Sequence, residues 1–273
     1  MKHHKCFFFV GMLMSWAIQA DGLDGQIKLA SEPVAGVPAA AMAELQAFRD
    51  KLKPLFKGAG LGDWQSLQMQ QNTNGDFITL EESPAAKQGR GFFAVRKQAS
   101  KNWLLQAPHA DSDLYTGKIA SRLFLEGDFK AAQWNTVKRD LSDMAHTPNT
   151  YWQMFTQAFA EQYPDAKIIQ LHGFDPSQRK TQAGEAIDMI LSAGQQIAPL
   201  WVQQTAGCLK KAFPKRVGLY QSDVQELGGT TNVQGQLLRN LGHDGFLHIE
   251  MSKSLRGQLL EDAGLRKRFI DCL

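Results

Sequence analysis

The sequence predicts an α/β fold: a single domain with a mostly parallel mixed sheet flanked by helices. Three observations carry this reading. Beyond about residue 100, compact apolar runs alternate with amphipathic stretches of roughly 10–15 residues, the rhythm of strands joined by crossover helices. Runs such as "KIIQL" and "MILSAG" approximate the near-continuous apolar character of strands covered on both faces. Upstream, strand candidates follow one another across turn-rich sequence without an intervening helix, which gives the sheet its mixed character.

Taken in order, apolar residues at helical spacing predict a helix over Met42 to Phe56, broken by Gly58 to Gly62. Three strands are predicted over Phe77–Glu81, Gly91–Arg96 and Trp103–Ala107, the first two separated by "SPAAKQGRG" as in a hairpin or a longer connection. Next come a helix over Thr116–Leu125, a short strand over Gln133–Val137 and an amphipathic helix over Tyr151–Gln162. Strands over 166–174, 186–194, 216–222 and 245–252 then alternate with helices near 197–212, 234–241 and 255–262.

Residues 1–20 read as a signal peptide. Lys2 and Lys5 precede an apolar stretch from Phe7 to Ala17, and Ala20 offers a small residue before Asp21. The stretch is shorter than the roughly 20 residues a spanning helix needs, so no stable membrane insertion is expected after cleavage. Residues 21–42, Ala- and Pro-rich beyond residue 30, read as a lead-in segment, and 43–273 as the catalytic domain. The protein is expected to be periplasmic or secreted.

The whole chain has 30 Lys and Arg against 27 Asp and Glu. Loss of Lys2 and Lys5 leaves the mature chain near +1, without the basic excess that a nucleic-acid partner favours. Cys208 and Cys272 are the mature cysteines, and sequence leaves their pairing open. No Cys-x-x-Cys occurs, so thiol-redox and zinc-ribbon roles find no support.

Chemistry is expected where strands end. "APHADSD" places His109, Asp111 and Asp113 just beyond one predicted strand, "QLHGF" places His172 near the end of another, and "LHIEMS" carries His248 and Glu250 on the last. In an open α/β sheet, ligands collect beyond the carboxyl ends of parallel strands, so these residues would meet on one rim. Two histidines and a carboxylate suit a catalytic zinc ion, which takes imidazole and carboxylate ligands and leaves a fourth position to water. A further carboxylate can accept the proton of that water while the metal polarises a scissile carbonyl; Glu250 fits that part. His248 and Glu250 alternate with Ile249 and share one face of their strand. Arg139, in "NTVKRD", is a candidate fork for a substrate carboxylate, with Asn135 beside it. His146 is expected to cap or line a helix, and His243 to lie in a turn.

At these motifs the chain resembles the zinc-dependent exopeptidase fold, particularly N-formylglutamate amidohydrolases and, more distantly, metallocarboxypeptidases. The resemblance spans roughly residues 77–262. It implies His109, Asp113 or Asp111, and His172 as zinc ligands, Arg139 as the substrate clamp and Glu250 as general base. Two features depart from the pattern. Metallocarboxypeptidases usually place a Glu three residues after the first His, where this chain has Ser112, and Asn135 and Arg139 are not adjacent.

The expected activity is thus an exported zinc-dependent hydrolase cleaving an amide or peptide bond, with a carboxylate-bearing peptide or N-acyl amino acid as substrate. A serine hydrolase is the first alternative, but no Gly-x-Ser-x-Gly elbow occurs and Ser192 is the nearest strand-end serine. The second is a non-catalytic exported binding protein that retains the crevice without metal.

Overall fold

The computed structural model describes residues 22–31, 34, 36–58 and 62–273; the leader expected over 1–20 lies outside them. Among the described residues, nine strands form one sheet: β1 (Met69–Asn74), β2 (Phe77–Glu82), β3 (Phe92–Arg96), β4 (Lys101–Ala107), β5 (Phe129–Trp134), β6 (Lys167–Phe174), β7 (Met189–Ser192), β8 (Val217–Leu219) and β9 (Phe246–Ser252). Their spatial order is β1-β2-β3-β5-β4-β6-β9-β7-β8. The central block β5-β4-β6-β9 is parallel throughout. Antiparallel pairs attach β3, β2 and β1 along one side and β7 on the other, with β8 parallel to β7.

Helices cover both faces. On one face lie α1 (Met42–Phe56), α3 (Tyr151–Gln162) and α6 (Val233–Asn240), whose Phe48, Phe155, Phe159 and Leu238 share a core with Leu104, Ile168 and Phe246. On the other lie α2 (Thr116–Glu126), α5 (Leu200–Ala212), α7 (Lys253–Glu261) and α8 (Ala263–Asp271), packed on Leu105, Ile169, Leu171, Ile249 and Met251. Residues 22–30, within the expected lead-in, are helical, and Leu23, Ile27 and Ala30 join this second core. A short helix α4 (Gln182–Ala186) precedes β7. Among the described residues, no helix is long and apolar enough to cross a membrane.

The predicted helices at 42–56 and 151–162 coincide with α1 and α3. The helix over residues 22–30 was not predicted, nor were β1, α4 and α8. β1 reads "MQQNTN", an edge strand that is mostly solvated and shows no apolar alternation. β5 begins at Phe129, four residues ahead of the predicted start, because "FKAAQW" hides a fully buried strand behind a lysine and two alanines. The Lys130 ammonium is satisfied internally, donating to the Arg96 carbonyl at 2.7 Å.

Cys208 in α5 and Cys272 beyond α8 form a disulfide, with Cα atoms 5.4 Å apart. It ties the C-terminus back onto a helix 64 residues earlier in sequence, over the same core.

Candidate metal centre

Because β4, β6 and β9 are adjacent and parallel, their carboxyl ends form one rim, and in-register pairing sets His172 opposite Glu250 and Gln170 opposite His248. His109 joins them from the turn after β4. That turn is tightly closed: Asp113 N donates to the His109 carbonyl at 2.9 Å, and Thr116 Oγ1 donates to the Asp113 carbonyl at 2.7 Å. Tyr115 closes it with φ of 76°, a left-handed conformation rare for a bulky residue. A Cβ on Gly117 would stand 2.7 Å from the Ala110 carbonyl, so glycine is required where α2 begins under the turn. The two aspartates therefore part company. Asp111 is exposed, whereas Asp113 turns inward toward the histidines.

Three electron-rich atoms converge. His109 Nδ1 lies 3.2 Å from His172 Nδ1 and 3.3 Å from Asp113 Oδ2, and the third side of the triangle, His172 Nδ1 to Asp113 Oδ2, is 4.0 Å. Each ring faces an acceptor with its other nitrogen: Asp143 Oδ1 lies 2.9 Å from His109 Nε2, and Gln170 Oε1 2.7 Å from His172 Nε2. Proton placement assigned from these partners puts N–H on both Nε2 atoms and lone pairs on both Nδ1 atoms. Two lone pairs and a carboxylate oxygen so placed repel one another unless a cation sits among them. Tetrahedral zinc with ligands at about 2.0–2.1 Å separates them by about 3.3–3.4 Å, close to two sides of the observed triangle. The residues therefore fit zinc.

Without metal, a proton serves as the cation. Burial works to depress the His109 imidazole, but hydrogen bonds to Asp113 and Asp143 and the Asp113 charge outweigh it and raise its pKa. Asp143 balances the other way: burial would raise it, yet His109, Arg139 and His146 together hold it well below the usual carboxylate range. His172 is depressed well below the ordinary histidine value by burial and by the neighbouring His248 and His109 charges, and so stays neutral.

His248 and Glu250 occupy the inner side. The His248 ring lies tilted against His172 with centroids 4.5 Å apart, burial pushes its pKa down to about 3, and its Nδ1 has no partner. Glu250 is 9 % exposed, its Oε2 makes no hydrogen bond, and burial together with the Asp113 charge pushes its pKa up to about 7. The ligand atoms of His172, His248 and Glu250 also gather within 4.8 Å of one another. His172 has a single lone pair to give, so this second grouping competes with the first rather than adding another ion. The triangle with Asp113 is favoured, since Gly173 N donates to Asp113 Oδ2 at 2.8 Å and Asp143 orients His109.

Arg139 is on the solvent side of Asp143, with its side chain 49 % exposed and its Nε donating to Asp143 Oδ2 at 3.0 Å. Asn135, expected beside it, is instead buried, donating to the Pro108 carbonyl at 2.8 Å and bracing the His109 turn. His146 caps no helix; it pairs with Asp143 at 3.2 Å and lies 3.2 Å from Thr231 Oγ1. Ser192 lies opposite His248 in register, but its Oγ donates to the Gly228 carbonyl at 2.6 Å rather than to a histidine.

Three functional neighbours escaped sequence reasoning. Asp143 lies in "DMAHTPNTY", and its signal was its setting between Arg139 at i−4 and His146 at i+3. Gln170 sits two residues before His172 and shares its strand face, where an apolar residue is the ordinary choice. Arg256 is 6 % exposed, leaves Nη1 unpaired and packs its guanidinium where a Gly173 side chain would otherwise go. Its signal is an arginine among the buried residues of α7, next to Leu255.

Neither a family model nor a curated protein matches this chain. Among solved structures, an N-formylglutamate amidohydrolase from Ralstonia eutropha aligns over 67 % of this chain and 95 % of its own, at 12 % identity and a TM-score of 0.46. An aspartoacylase family protein from Mesorhizobium loti aligns over 74 % and 69 %, at 12 % identity and 0.40. A metallo-carboxypeptidase from Burkholderia cenocepacia aligns over 85 % and 69 %, at 9 % identity and 0.39. Structures of both kinds to which the strand-end motifs pointed are thus among those this chain is similar to.

Proposed function

We propose that the chain is an exported zinc-dependent hydrolase that cleaves an amide or peptide bond, with a carboxylate-bearing peptide or N-acyl amino acid as substrate. One observation supports this above the others: the inward-facing lone pairs of His109 and His172 meet Asp113 Oδ2 beside a buried Glu250 whose Oε2 makes no hydrogen bond. His109, His172 and Asp113 would hold the ion. Bound there, zinc would supply Lewis acidity toward a carbonyl and lower the pKa of water.

The remaining work falls to side chains. Burial and the Asp113 charge favour a proton on Glu250 in the metal-free protein, so it would be suited both to take a proton from water and to return it to the departing amine nitrogen. Its unpaired Oε2 is the atom available for that exchange. Asp143 fixes the His109 ring and restrains Arg139 at once, which holds a guanidinium on its solvent side. The terminal nitrogens of Arg139 would receive the substrate carboxylate as a planar fork. The Cys208–Cys272 disulfide, together with the leader-like first twenty residues, supports an oxidising, extracytoplasmic compartment. No nucleic-acid partner is proposed.

The test is the metal content of the purified protein beside His109→Ala and His172→Ala, with hydrolysis of N-acyl amino acids assayed in parallel. About one zinc per wild-type chain, lost in both folded variants, is expected. A folded wild type that takes up no zinc when it is supplied would end this reading and leave the non-catalytic binding protein.

A further inference from the structure

A buried row of carboxamides runs across the sheet beneath the site. Register places Gln106 of β4 opposite Gln133 of β5 on one side and Gln170 of β6 on the other, and Gln170 in turn opposite His248. All three glutamines are fully buried. Burying a carboxamide is unfavourable unless its hydrogen bonds are made, so the connectivity of such a row carries information.

The connections have one direction. Thr156 Oγ1 donates to the Trp152 carbonyl at 3.1 Å, an oxygen that can only accept. Gln106 Nε2 donates to Thr156 Oγ1 at 2.8 Å, which leaves Gln106 Oε1 to accept from Gln170 Nε2 at 2.8 Å. Gln170 Oε1 is then turned toward His172 Nε2. The other end is fixed independently. Asn232 caps α6, with its Oδ1 accepting from the backbone N–H groups of Gln234 and Gly235, so its Nδ2 must point away and donate to Gln170 Oε1. Reversing Gln170 would set its amide nitrogen against the Asn232 amide nitrogen and its oxygen against Gln106 Oε1. A carboxamide flip is therefore excluded from both ends.

We propose that this polarised relay, anchored at the α6 cap and at the Trp152 carbonyl, locks His172 as the Nε2–H tautomer, and that Asn232 is a positioning residue for His172. The relay keeps a proton off Nδ1, the atom that faces His109 and Asp113. Metal ligands are held in one tautomer by the partner of their other ring nitrogen, and loss of such partners weakens metal affinity by about 10–100-fold. Here the partner is a neutral carboxamide whose orientation is set from two sides, by the α6 cap and by Gln106 through Thr156. The consequence for metal rests on the proposed function; the tautomer does not.

The test reads the tautomer directly in the metal-free protein at pH 8. Histidine-selective ¹⁵N labelling distinguishes protonated from bare ring nitrogens, and His172→Asn assigns the signals. The wild type should show His172 protonated at Nε2 and bare at Nδ1. Asn232→Asp keeps an oxygen for the helix cap but presents an acceptor to Gln170. It should turn Gln170 over, move the proton to Nδ1 and weaken zinc binding at least about tenfold. Asn232→Ser keeps the cap without the opposing acceptor, and should retain the wild-type tautomer and affinity within about threefold.

A wild-type His172 protonated at Nδ1 would overturn the proposal even if no variant folds, and so would an unchanged tautomer in folded Asn232→Asp. A wild type with the expected tautomer that takes up no zinc would support the relay while sinking the metal reading, so the two ideas fail separately.

Discussion

On β4, β6 and β9, Leu105, Ile169, Leu171, Leu247, Ile249 and Met251 face the core beneath α2, α5, α7 and α8. Their alternating neighbours Gln106, Gln170, His172, His248 and Glu250 face the side covered by α3 and α6, where Gln106 meets Thr156 and Gln170 meets the α6 cap. Toward the amino ends of the same strands, even that second side is apolar, with Leu104, Ile168 and Phe246 in its core. On these three strands, buried polar character is thus confined to one face and to the carboxyl half, and Gln133 of β5 extends the row by one strand. Period-two alternation lets one strand serve both needs, since a residue's neighbours in sequence lie across the sheet. If the apolar face carries stability and the polar quarter the proposed chemistry, substitutions on the two should act on different observables.

Glu250→Gln should separate them most sharply. Removing the base should lower turnover by about 10²–10⁴-fold while zinc content stays at the wild-type level, since Glu250 is not among the proposed ligands. Wild-type activity should rise with pH as Glu250 ionises, over a range below the metal-free value of about 7 because a bound cation favours the carboxylate, and the residual activity of the variant should lack that limb. Stability should move the opposite way. In the metal-free protein, folding raises the Glu250 pKa from 4.5 to about 7. The protonated form is therefore the one the fold favours, and stability falls as pH rises from about 4.5 through about 7. The full effect is about 3 kcal/mol by the size of the shift. Glu250→Gln removes this penalty, so metal-free variant and wild type should have similar denaturation midpoints at pH 4, with the variant more stable at pH 8. Retained turnover, or a midpoint difference that does not grow with pH, would mean that this carboxylate is not the buried base.

Ile249→Ala, one residue away and on the other face, should do the reverse. Ile249 is fully buried opposite Leu171, and truncation should lower unfolding stability by about 2–5 kcal/mol through lost burial and the residual cavity. Zinc affinity of the folded variant should change less than about threefold. A large loss of affinity would show that the two faces are coupled through the backbone of β9, and the contrast between them would fail.

Much of this division was legible beforehand. His109, His172 and Glu250 stand out because each interrupts or ends an apolar run, and a parallel sheet has only one rim on which to gather them. Asp113 over Asp111 was not decidable from spacing, because the choice depends on the left-handed turn at Tyr115 and the close approach at Gly117. Gln106, Gln133 and Gln170 passed unnoticed since a lone Gln in a strand reads as a surface residue; their meaning appears only when register lines them up. The Cys208–Cys272 pair was equally out of reach, as the distance between α5 and the C-terminus is a property of packing.

Asp143→Asn gives the smallest effect and tests where the polar region ends. Asp143 comes from the loop before α3 rather than from a strand, yet it holds His109 Nε2 at 2.9 Å and Arg139 Nε at 3.0 Å. Asparagine keeps an oxygen for the imidazole and removes the charge, so zinc should still bind, weakened by about tenfold, the lower end for a second partner of a ligating histidine. The loss of charge should also make protonation of His109 easier to reverse, because Asp143 is one of the two carboxylates that raise its pKa above the burial effect. Proton competition should then recede, and the decline of zinc affinity on acidification should begin at lower pH in the variant than in the wild type. Affinity measured by chelator competition across pH 5–8 checks both parts. A parallel downward displacement with no change in the pH at which affinity begins to fall would assign Asp143 to holding Arg139 rather than His109.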